Sequence, residues 1–109
     1  MTISAYSSAL SGMRSASLRL EAVASNVANA ATPGYEPVGV RQVAAGGGVQ
    51  AELVTRPTGP SVEGLAALPR VDMGAEVADL LQASLQYKAG LKVASVASDM
   101  AKSTVNLVR

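Results

Sequence analysis

The chain has 109 residues, room for one domain, and its apolar content is mostly Ala, Val and Leu, with no Phe or Trp and only three Tyr. A net charge of +1 without long like-charge runs gives no electrostatic case for nucleic acid or an anionic membrane surface. The absence of Cys and His excludes disulfides, thiolate or imidazole metal sites and nucleophile–His pairs, so no catalytic residue, cofactor or metal is expected.

The first predicted element is a long helix over about Ile3 to Ala30, with no Pro and a single Gly, Gly12. Ile3, Tyr6, Leu10, Met13, Ser17, Leu20, Ala24, Val27 and Ala31 alternate spacings of three and four, the mark of a heptad seam. That seam is expected to pack on a partner helix. Thr32-Pro33-Gly34 ends the element, because Pro33 disfavours the helical conformation at Thr32 and Pro-Gly suits the centre of a type II turn. Asn29 is expected to help cap the helix end.

The middle, about Tyr35 to Arg70, carries Pro37, Pro57, Pro60 and Pro69 and the run Gly46-Gly47-Gly48. Glu36–Val43 and Val49–Thr55 read as two short strands, with the glycine run as the turn between them. An isolated hairpin is marginal in water, so it must lie against a helix or a neighbour. Arg56–Leu68 reads as an irregular linker.

The last predicted element is a second long helix, about Met73 to Leu107, with Asp72 as N-cap and Glu76 complementing the dipole in the first turn. Val77, Leu80, Leu81, Leu85 and Tyr87 share one face; beyond Lys88-Ala89-Gly90 the apolar face moves to Val93, Val96, Met100, Leu107 and Val108. A helix that presents apolar residues to two sides needs two neighbours along its length. The reading is therefore mainly α: two long terminal helices pairing as an antiparallel coiled-coil hairpin around a short irregular or β-hairpin middle. Its parts are 1–34, 35–70 and 71–109, together one domain. Candidate packing and assembly residues are Ile3, Tyr6, Leu10, Met13, Leu20, Val27, Val77, Leu80, Leu81, Tyr87, Leu91, Val96 and Met100. No stretch is long and apolar enough to span a membrane, and Met1–Met13 lacks the basic start of a cleaved signal.

The segment Ala24-Ser25-Asn26-Val27-Ala28-Asn29-Ala30-Ala31-Thr32-Pro33-Gly34-Tyr35 resembles the N-terminal signature of bacterial flagellar rod and hook proteins. Ser8–Met13 upstream fits the same helix. Pro69–Leu81 and Ala83–Gly90 resemble the start of that family's final helix, with Gly90 where the family usually has Asn. The shortness of the middle points to the small proximal-rod members. The resemblance implies a structural subunit that is exported by the flagellar type III apparatus without signal cleavage. It would assemble in the periplasm with its own copies and other rod proteins, and pass torque to the hook. Two other readings of the same pattern stay open: a needle or inner-rod subunit of another type III secretion system, and a cytoplasmic helical-hairpin adaptor.

Overall fold

The computed structural model describes residues 2–56 and 71–108. The side chain of Ile3 and the linker expected over Arg56–Leu68, from residue 57 onward, lie outside the described residues. Helix α1 spans Thr2–Ala28, strands β1 and β2 span Val38–Ala45 and Gly48–Thr55, and helix α2 spans Met73–Val108. The protein is mainly helical, with the two helices antiparallel and a short β-hairpin between them in sequence.

Local chemistry sets the element ends. The Tyr35 N–H donates to the Thr32 carbonyl at 3.2 Å, and Gly34 takes a φ of 78°, so Thr32–Tyr35 is the type II turn expected of Pro-Gly. Asn29 caps the end of α1 by donating its side-chain amide to the Ser25 carbonyl at 2.9 Å. Asp72 caps α2, its Oδ1 accepting the Ala75 N–H at 3.2 Å. Strands β1 and β2 pair antiparallel with Val38 opposite Thr55 and Ala45 opposite Gly48. The two residues between them, Gly46 and Gly47, have φ of 53° and 80°. Positive φ at both central positions is the type I′ geometry whose twist matches the strands, and only glycine takes it without strain.

Helix α1 lies between two partners. Along one side it meets α2: Arg19 reaches Asp79, Gln82 and Gln86, and Gln86 Nε2 donates to the Gly12 carbonyl at 3.2 Å. Between these points Ala16 and Ala83, both completely buried, fall opposite one another. Along an adjoining side α1 carries the ribbon. Asn26 binds Val38, Ser15 binds Gln42, Ser11 accepts the Val49 N–H at 3.0 Å, and Ser8 donates to the Gly47 carbonyl. From Asn26 back to Ser8 the helix advances ~27 Å at ~1.5 Å per residue. Strand residues from Val38 to the turn cover ~30 Å at ~3.3 Å each, so the ribbon matches the helix it lies on.

The helix–helix seam is displaced from the one expected. It runs Ala9, Gly12, Ala16, Arg19, Val23, Asn26 on α1 and Glu76, Asp79, Ala83, Gln86, Gly90, Ala97 on α2. Both series alternate threes and fours up to Gly90, from which Ala97 lies one heptad on; the α1 series lies one residue N-terminal of the expected one, a rotation of ~100°. Of the expected seam, Tyr6, Val27, Ala24 and Ala31 are exposed, and Leu10, Met13 and Leu20 are half-buried at its margin. The physical reason is size. A Cβ built on Gly90 would stand 2.5 Å from Met13 Cγ and 3.4 Å from the Ala9 carbonyl oxygen, so the backbones approach where only small residues fit. Gly90 therefore permits the close approach of the two helices.

These geometries separate two glycines. Gly12→Ala meets nothing nearer than Gln86 Nε2 at 3.9 Å and should raise stability by about 0.5–1 kcal/mol through helix propensity. Gly90→Leu should lower it by about 1–3 kcal/mol by forcing the helices apart. Urea unfolding of both variants checks the opposite signs.

Candidate assembly site

Three features stand out, two of them near the end of α1 and the third along the outside of the helices. The first is Asn26, completely buried although a polar residue. Its Oδ1 accepts the Val38 N–H at 2.8 Å, and its Nδ2 donates to the Val38 carbonyl at 2.7 Å. The side-chain amide thus stands in for a strand neighbour at the start of β1 and satisfies both backbone groups of Val38. The same side chain donates to Glu76 Oε1 at 2.9 Å and accepts the Tyr35 hydroxyl at 2.8 Å. Ser25 Oγ lies 2.8 Å from that hydroxyl. One residue therefore ties together α1, the turn after it, β1 and the first turn of α2.

The second feature is a charged ladder. Glu76 is only 1% exposed and holds Arg56 Nη1 at 2.5 Å. The other nitrogen of the Arg56 fork bonds Asp79, whose second oxygen lies 3.3 Å from Arg19. Arg19 also donates to Gln82 Oε1 at 2.9 Å. The residue expected to complement the helix dipole is in fact the buried centre of an interhelical cluster. Glu76 Oε2 has no partner among the described residues. A cleft of about 480 Å³, lined by Arg19, Val23, Val40, Val54, Arg56 and Asp79, opens beside the cluster. Arg56→Met should cost about 2–3 kcal/mol, because it strands the Glu76 carboxylate, while Arg56→Lys should recover part of that loss. Thermal unfolding of the two variants checks the order.

The third feature is what the seam leaves outside. Val77, Leu80, Leu81, Leu85, Leu91, Val93, Val96 and Met100 are all exposed, and Tyr87 is half-buried. At ~100° per residue, Leu80 and Leu91 lie on one flank of the Ala83–Gly90–Ala97 line, and Val93, Val96 and Met100 on the other. On the first flank a groove of about 300 Å³ runs between the helices, walled by Leu10, Met13, Ser17, Leu18 and Tyr87. Together with Tyr6 and Val27, these residues make apolar surface on both helices that no other described residue covers. Exposed large apolar side chains in this number make both flanks candidate interaction surfaces.

Sequence reasoning marked Ser25, Asn26, Asn29, Thr32, Pro33, Gly34 and Tyr35, and the structure brings all of them to the end of α1. It missed Arg19, Arg56 and the burial of Glu76. Ala9, Ala16 and Val23, spaced by sevens beside the serine stripe Ser8, Ser11 and Ser15, were the available signal for the true seam. Among the described residues no group of three or more potential ligands is placed to hold a metal ion, and no helix is long and apolar enough to cross a membrane.

Among the described residues the hairpin has an inner seam of small and polar side chains and large apolar ones on its outer surface. Residues 7–35, which span most of α1 and the turn after it, match the family described as Flagella basal body rod protein. Over that segment the chain is similar to flagellar basal body rod proteins. Comparison with curated proteins gives no match.

Proposed function

We propose that this chain is a subunit of the proximal flagellar rod, assembled helically through its terminal helices with its own copies and with other rod proteins. The observation that carries the reading is the inversion of α2: Ala83 and Gly90 face α1, while Leu81, Leu85, Val93 and Met100 face outward on two flanks. Burial of such surface contributes about 25 cal/mol per Å², and two covered flanks mean at least two neighbours per subunit. Tyr6, Leu10, Met13, Leu20, Val27, Val77, Leu80, Leu81, Tyr87, Leu91, Val96 and Met100 act as assembly residues, and the three chain segments work as one domain. The role is structural rather than enzymatic: the subunit passes torque toward the hook. Export proceeds through the flagellar type III apparatus without signal cleavage, and assembly takes place in the periplasm. Electron microscopy of basal bodies from a deletion strain tests the reading. Missing or truncated rods, restored by complementation, support it; intact rods and hooks overturn it.

A further inference from the structure

Among the described side chains are Met13, Met73 and Met100, and their surroundings differ. Met73 and Met100 are 48% and 55% exposed on α2, outside the inner seam. Met13 is half-buried where the two helices come together at Gly90. A Cβ built on Gly90 would stand 2.5 Å from Met13 Cγ and 3.4 Å from its Sδ, so the thioether fills the space that a side chain at position 90 would need. Glycine and methionine are matched here: an unbranched, polarisable side chain covers bare backbone.

The same side chain is open to small molecules from another direction. Met13 lines the groove of about 300 Å³ between the helices, together with Leu10, Ser17, Leu18 and Tyr87. A hydroperoxide entering that groove meets the sulfur. A sulfur lone pair attacks one peroxide oxygen, the O–O bond breaks as the S–O bond forms, and the proton passes to the leaving oxygen. The thioether is oxidised by two electrons to the sulfoxide, and the hydroperoxide is reduced to water or an alcohol.

We propose that Met13 is an oxidation-sensitive lock on the helix hairpin, converted by hydroperoxides to a sulfoxide that no longer fits against Gly90. Oxidation turns a flexible apolar side chain into a polar, bulkier one. Its oxygen either stays in a contact that has no room for it or turns into the groove and draws the side chain off Gly90. Both outcomes loosen α1 from α2 beside Ala9. Met73 and Met100 lie outside that contact, so their oxidation leaves the hairpin intact. The susceptible form is the free chain, whose groove is uncovered by any neighbour, and the inference does not rest on the rod reading.

The test treats the purified full chain with hydrogen peroxide, maps each sulfoxide by peptide mass spectrometry and follows thermal unfolding by circular dichroism. Met73 and Met100 should convert first, with no change in the unfolding midpoint. Conversion of Met13 should then lower the midpoint by about 5–10 °C. Methionine sulfoxide reductases should return it. Met13→Leu, close in volume, should unfold near wild type and lose the response to peroxide, while Met73→Leu with Met100→Leu should keep the response in full. Met13→Gln sets a polar group in the same place and should lower the midpoint without oxidant. Three results would each overturn the lock: a Met13 sulfoxide with an unchanged midpoint, a Met13 left unmodified when Met73 and Met100 are fully converted, or a Met13→Leu chain as sensitive to peroxide as wild type. All of these readouts come from the free chain, so intact rods in a deletion strain would overturn the rod reading and leave the lock standing.

Discussion

Asn26→Ala should lower the stability of the subunit by about 3–5 kcal/mol, more than any other single substitution in the motif segment. The change removes one side chain but strands both backbone groups of Val38 and takes one partner each from the Tyr35 hydroxyl and from Glu76. Each buried polar group left without a partner costs about 1–3 kcal/mol, and the ribbon can recover only part of this by moving toward water. Asn26→Asp should be nearly as damaging despite its similar shape. It loses both donors and sets a carboxylate against Glu76, whose nearest oxygen is 2.9 Å from Nδ2. Asn26→Gln is no remedy, because its added methylene displaces an amide that must meet the N–H and C=O of one residue. Chemical denaturation of the three variants gives the order directly. An Ala variant within about 1 kcal/mol of wild type would mean that the ribbon is held elsewhere.

Leu91→Asp and Val27→Asp should do the reverse, leaving the subunit folded and abolishing assembly. Both residues are more than 40% exposed and neither belongs to the inner seam, so each charge stays in water in the free chain. The expected stability change is within about 1 kcal/mol, as for other surface substitutions. At an interface the same carboxylate is desolvated without a partner, a penalty of several kcal/mol repeated in every subunit of a polymer. The readouts are circular dichroism and unfolding of the purified chain, set beside electron microscopy of basal bodies from cells carrying only the variant. Normal rods with either substitution would show that these flanks are not buried on assembly.

Much of the fold was legible because local chemistry decides it. Pro33 and Gly34 have one conformation to adopt between a helix and the strand beyond it. Asp72 sits one residue before a long stretch without proline. Gly46 and Gly47 allow the turn that joins two alternating strands. The helix seam was misplaced for a reason that also lies in the residues. Pattern reading gives weight to Tyr6, Leu10, Met13 and Leu20 because large side chains usually line the core. Here the large side chains lie at the margin or outside, and Ala9, Ala16, Ala83 and Gly90, which carry little hydrophobic signal, make the inner contact. The candidate site was half legible. Asn26 and Tyr35 stand within one short motif, whereas Arg56 and Arg19 meet Glu76 and Asp79 only after the chain has folded back on itself.

The inner seam also bears on how many arrangements this hairpin could adopt. Ala9, Ala16 and Val23 on one helix and Glu76, Ala83, Gly90 and Ala97 on the other repeat every seven residues. A slide of one helix past the other by seven would set small residue against small residue again, with little change in buried area. Apolar packing alone would leave several registers nearly degenerate. The polar groups remove the degeneracy, since Asn26 can satisfy Val38 and Glu76 together only in the observed register, and Arg19 meets Asp79 and Gln82 only there. Much as a single polar residue in a coiled-coil seam selects one alignment among many, these side chains act as a key. A chain lacking both Asn26 and Arg19 would populate a mixture of slipped hairpins, each helical and each presenting its outer flanks at the wrong height.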